Sequence, residues 1–152
     1  MDFLDSALMD SYGLACTAEM PERWPTSSAG LCLPARAAMA RHVRRFAAPW
    51  FARWDLTSDE QDSALIVVAE LTANAVLHGR GDMSIFLVRN HDGLIIQVTD
   101  HHAHADAPHS EPAPCPDEHG RGLIMVQSLA DDLQINVTAD GWCVRARMNF
   151  DH

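Results

Sequence analysis

At Gly79-Arg80-Gly81 the hydrophobic period of the chain changes, and that change restricts the folds open to it. Upstream, Leu65 to His78 is apolar most of the way round a helix, with Ile66, Val67, Val68, Leu71, Ala75, Val76 and Leu77. Thr57-Ser58-Asp59-Glu60 starts this helix: a hydroxyl cap is followed by acids, which favour the positive end of the helix dipole. The glycines stop it near His78. Downstream, Met83, Ile85, Leu87 and then Leu94, Ile96, Val98 recur at every second position. That is the period of strands, and Asn90-His91-Asp92-Gly93 between them is a hairpin turn.

The flanking segments extend the pattern. Gly30 to Leu33 reads as a strand stopped by Pro34, which also suits the first position of a helix. Ala35 to Trp54 reads as that helix, with Ala37, Ala38, Val43, Phe46 and Ala47 inward and Arg36, Arg41, Arg44 and Arg45 outward. Pro49 should end or kink it near Ala48. From His101 to His119 the chain is rich in His, Pro, Ala and acids and carries no core pattern. Gly120 to Leu129 returns to helix, and Leu133 to Thr138 and Trp142 to Phe150 form two strands around Asp140-Gly141. The expected fold is α+β, a two-layer sandwich of a mostly antiparallel sheet with helices on one face. Residues 30–152 would form this one domain. Residues 1–29 read as an arm, either loosely ordered or making an amphipathic turn through Phe3, Leu4, Leu8, Met9 and Tyr12.

Composition narrows the chemistry. Hydrophobic residues at 47% suffice for one continuous core in 152 residues. Eleven basic against 21 acidic residues leave a net charge of −10, which argues against a DNA-backbone binder or a membrane-surface protein. Every basic residue is arginine, so no lysine base, Schiff base or P-loop lysine is available. Cys16, Cys32, Cys115 and Cys143 are scattered without a C-x-x-C and read as reduced thiols. No apolar run reaches the length of a membrane span, and Met1-Asp2-Phe3-Leu4-Asp5 lacks the marks of a signal peptide. A soluble cytoplasmic protein is expected.

Three segments carry candidate chemistry. Glu70, Asn74 and His78 stand at i, i+4, i+8 on one face of the long helix. They form either a solvated stripe or a carboxylate base, an amide able to ligate magnesium and an imidazole lining one cleft. Asp100 closes a strand; it either begins a turn or accepts a hydrogen bond from an exocyclic amine such as that of adenine. Gly120-Arg121-Gly122-Leu123 opens a helix, where free N–H groups and an arginine offer an anion site, or where the junction simply needs glycine. His101, His102, His104, His109, Cys115 and His119 could bind Zn²⁺ or another transition metal, but they match no standard tetrahedral spacing, and that segment reads rather as a mobile, acidic, partly solvated lid.

The order of these segments resembles the GHKL (Bergerat) ATP-binding fold of gyrase, chaperone and histidine-kinase ATPases. Ala69-Glu70-Leu71-Thr72-Ala73-Asn74-Ala75-Val76-Leu77-His78-Gly79 and His119-Gly120-Arg121-Gly122-Leu123-Ile124-Met125-Val126 look most like the small anti-sigma factor serine kinases. The resemblance covers about Gly30 to Phe150. It implies ATP and Mg²⁺ as cofactors, Asn74 as the Mg²⁺ ligand and Glu70 as the general base toward a serine or threonine. It further implies Asp100 reading the adenine amine, and Gly120 and Gly122 contacting phosphates; His78 and Arg121 are binding candidates from their own positions in the sequence. The partners implied are a sigma factor and an anti-anti-sigma-type protein, the chain being a homodimer. Two positions depart from the family. Asp100-His101-His102-Ala103-His104 lacks the glycines of the first glycine box, and Gly141-Trp142-Cys143 carries a thiol where the family often has a threonine hydroxyl near the base. Both weaken the adenine end, so a catalytically weak partner-binding adaptor is the alternative to the kinase.

Overall fold

A computed structural model describes residues 27–78, 81–101, 119–138 and 141–151. Strand β1 (Ser27–Pro34) leads through a 3-10 turn (Ala37–Met39) into helix α1 (Ala40–Arg53) and helix α2 (Ser58–His78). A hairpin of β2 (Asp82–Arg89) and β3 (Gly93–His101) follows, then helix α3 (His119–Leu129) and a second hairpin, β4 (Asp132–Thr138) with β5 (Gly141–Asn149). The five strands lie in the order β1-β2-β3-β5-β4, and every neighbouring pair is antiparallel. The expected α+β class and arrangement are what the structure has.

Period-2 alternation divides the sheet into two faces. Met83, Ile85, Leu87, Leu94, Ile96, Val98, Val144, Ala146 and Met148 share one, and they join Val43, Ala47, Phe51, Val67, Leu71 and Val126 from the three helices in a single core. On the other face Phe86, Val88, Gln97 and Cys143 are also buried.

Local sequence explains most element ends. Thr57 and Glu60 make a reciprocal cap: the Thr57 N–H donates to Glu60 Oε2 at 2.8 Å, and the Glu60 N–H to Thr57 Oγ1 at 3.3 Å. The Asn90 side-chain oxygen accepts from the N–H groups of Asp92 and Gly93 at 3.1 and 2.9 Å, which forms the hairpin turn. Gly93 is required by proximity: a Cβ there would collide with the backbone carbonyl of Met148 on β5.

Helix α1 runs through Pro49 to Arg53, close to the expected end at Trp54, so the proline does not end it. Pro49 is exposed and Phe51 fully buried, so the turn beyond the proline anchors the core and offsets a ring that costs about 3 kcal/mol in a helix interior. Ala37 and Ala38, expected inward, lie exposed in the 3-10 turn that precedes the helix. Finally β1 begins at Ser27, three residues before Gly30, and pairs with β2 throughout. Arg36, Arg41, Arg44 and Arg45 do face outward. The remainder of the proposed arm, residues 1–26, and most of the histidine-rich segment, residues 102–118, lie outside the described residues.

Candidate nucleotide-binding site

Helix α2 sets the floor and one wall of the site. Val67, Leu71 and Ala75 point into the core, and at 100° per residue this turns Glu70 and Asn74 to the flank of the helix, where both are partly buried. Helix α3 packs along that flank, with Val126 fully buried beneath it. The approach is closest at Gly122. A Cβ on this residue would lie 2.6 Å from Glu70 Oε2 and 3.6 Å from Glu70 Cδ. The absence of a side chain at Gly122 therefore leaves the space that the Glu70 carboxylate occupies.

One turn further along α2, Asn74 lines a cleft with Asp100 at the end of β3 and Trp142 at the start of β5. Leu71, Ala75, Val98 and Val144 supply its aliphatic walls. Asp100 and Trp142 are directly opposed in the ladder between β3 and β5, as are Val98 and Val144, so all four side chains lie on the helix-covered face. Asp100 itself is only 1% exposed.

Not every residue marked in the sequence arrives here. Cys143 pairs with Thr99, one position out of phase with Asp100, and alternation sends it to the opposite face, where it is buried. The structure does not bring it to the cleft. His101 also points away from Asp100 and shares a hydrogen bond of 2.8 Å with Ser84 Oγ on β2. Arg121 is exposed on the first turn of α3. Gly120 lies in that same turn and His78 ends α2, both placed by their backbone alone. His102, His104, His109 and Cys115 lie outside the described residues. Trp142 was not among the candidates, although alternation along Trp142-Cys143-Val144 was the signal that separates it from Cys143.

The donors suit a magnesium nucleotide at one end. Mg²⁺ is a hard cation that keeps several waters and takes one or two protein oxygens besides phosphate. The Asn74 amide, on the wall of the cleft one helical turn from Glu70, meets that requirement. The base end is different, because the Asp100 carboxylate is covered in this conformation.

An antiparallel sheet layered with three helices, bearing a cleft with two polar side chains between its long helix and the ends of two central strands, is the architecture of an ATP-binding domain. The chain matches the histidine kinase-like ATPase domain over residues 33–148, from within β1 into β5, and belongs to that family. No curated protein matches it. Among the described residues no helix is long and apolar enough to cross a membrane.

Proposed function

We propose that the chain is an ATP-dependent protein serine/threonine kinase of the anti-sigma factor type. Its acceptor would be a serine or threonine of an anti-anti-sigma-type protein, and as a homodimer it would hold a sigma factor. The observation that carries this reading is the placement of the Glu70 carboxylate against Gly122, one helical turn from Asn74 in the cleft. Bound Mg²⁺, held by Asn74, would neutralise charge on the triphosphate. Gly120 and Gly122 open the helix whose first N–H groups face an anion. Glu70 takes the proton from the acceptor hydroxyl as its oxygen bonds to the γ-phosphorus. The bond from that phosphorus to the β-bridging oxygen breaks, and ADP leaves with the electron pair.

Calorimetry with ATP, with and without Mg²⁺, tests the binding half on wild type and Asn74→Ala. Mg²⁺-dependent binding that the variant loses is the expected result; no binding at millimolar ATP would overturn it. Water can replace the hydroxyl, so slow ADP release by wild type, absent in Glu70→Ala while ATP still binds, tests the chemical half. Equal ADP release by both proteins would remove Glu70 from its role. One observation favours the adaptor reading instead: the carboxylate expected to read adenine is closed off.

A further inference from the structure

Asp100 is placed as a base-reading carboxylate and yet is 1% exposed, so an amine can reach it only after some neighbouring group moves. Four of the residues lining the cleft cannot be that group. Leu71, Ala75, Val98 and Val144 are between 1% and 5% exposed, Met83, which opposes Asp100 from β2, is fully buried, and all five belong to the central core, where displacement would open a cavity. Asn74 is partly buried too, but it lies on α2 and is not opposite Asp100 in the ladder. That leaves Trp142. It is partly buried and directly opposite Asp100 on the same face, at a separation that puts the two Cβ atoms about 4.5–5.5 Å apart. A base bonded to Asp100 must bring its amine within about 3 Å of the carboxylate. The indole, the bulkiest side chain available to a protein, stands beside that position.

We propose that the indole of Trp142 covers Asp100 and sets how tightly the site takes a purine nucleotide with an amine at the 6-position. The proposal rests on the nucleotide-binding reading above and assigns to this tryptophan a role that neither Asp100 nor Asn74 can have. A site competent in only a fraction of molecules has its apparent affinity reduced by that fraction. If the cover is in place about nine-tenths of the time, its removal strengthens binding about tenfold. The gain is selective. Adenine presents an amine that donates to Asp100, guanine presents a carbonyl oxygen at the same position, and inorganic tripolyphosphate has no base at all.

The test is calorimetric titration of the full chain in Mg²⁺ with ATP, GTP and tripolyphosphate, for wild type, Trp142→Ala and Trp142→Phe. ATP should bind Trp142→Ala about tenfold more tightly than wild type, with GTP and tripolyphosphate unchanged. Trp142→Phe, which keeps a smaller ring and serves if the alanine variant does not fold, should show a lesser gain for ATP alone. Unchanged ATP affinity in either folded variant overturns the proposal. Weaker ATP binding does so as well, since it would mean the indole stacks on the base rather than covering its partner. A gain shared by all three ligands would make Trp142 a general obstruction and not a cover for Asp100. If wild type binds ATP through Asn74 and only the tryptophan effect is missing, this inference fails alone. If neither ATP nor tripolyphosphate binds any variant, the nucleotide-binding reading fails with it.

Discussion

Between Glu70 and Gly122 one methyl group separates two kinds of effect. Alanine is a better helix former than glycine by about 1 kcal/mol, and the atom its Cβ would meet is the far end of a flexible carboxylate. Gly122→Ala should therefore leave thermal stability unchanged or slightly raised while pushing the Glu70 carboxylate aside. A displacement near 1 Å at a reacting group can lower rate about a hundredfold, so ADP release should fall steeply with ATP binding retained. Unaltered ADP release would place the chemistry elsewhere. Gly93 presents the opposite case, because the obstacle there is the Met148 backbone, which cannot swing away. Gly93→Ala should destabilise the domain by roughly 2–4 kcal/mol, read as a lower urea midpoint. Thr72 differs from both. Its hydroxyl is buried on α2 without a hydrogen-bond partner among the described residues. Thr72→Val keeps the shape and removes that desolvated group, so denaturant unfolding should show a gain of about 1 kcal/mol; a loss would reveal a partner for the hydroxyl.

Elements form where local signals and burial agree, and α1 shows what happens when they conflict. Pro49 is a stop signal read locally, but Phe51 and the partly buried Trp50 and Trp54 beyond it pack against the core and carry the helix past it. Pro49→Ala restores a backbone N–H at an exposed position and should stabilise the protein by about 1–3 kcal/mol in urea unfolding. No change would mean that the helix had already adapted fully to the ring. The other elements were legible because their signals are local. Alternation around Asn90-His91-Asp92-Gly93 defines a hairpin, and Thr57 with Glu60 defines a cap, without reference to the rest of the molecule. In the candidate site, spacing in an apolar helix marked Glu70 and Asn74, but it fitted a solvated stripe as well as a cleft, and only the order of the motifs pointed to the second. Trp142 was not, because its importance depends on which residue of β3 it opposes. That pairing joins strands separated by α3 and β4, and a shift of one residue exchanges Trp142 for Cys143. Gly122 was visible as a helix opener, but its contact with Glu70 comes from helix packing, which no short stretch of sequence encodes.

For the whole molecule, nucleotide binding and folding are linked because the cleft draws on α2, β3 and β5, which come together only in the folded chain. A ligand that binds the folded state alone stabilises it by about 2.7 kcal/mol at a hundredfold excess over its dissociation constant. In a domain of this size each kcal/mol moves the unfolding midpoint by roughly 2–4 °C, so saturating MgATP should raise it by about 5–10 °C. The size of the shift depends on both ends of the site. Asn74→Ala should lose the part that requires Mg²⁺, and EDTA should have the same effect on wild type while leaving Asn74→Ala unaffected. Trp142→Ala should enlarge the shift with ATP but not with tripolyphosphate. Thermal unfolding of the three proteins in ATP and in tripolyphosphate, each with and without Mg²⁺, checks these relations together. A wild-type shift of equal size in Mg²⁺ and EDTA would move the binding energy from the triphosphate to the base. It would also remove Asn74 from the role proposed for it in holding Mg²⁺.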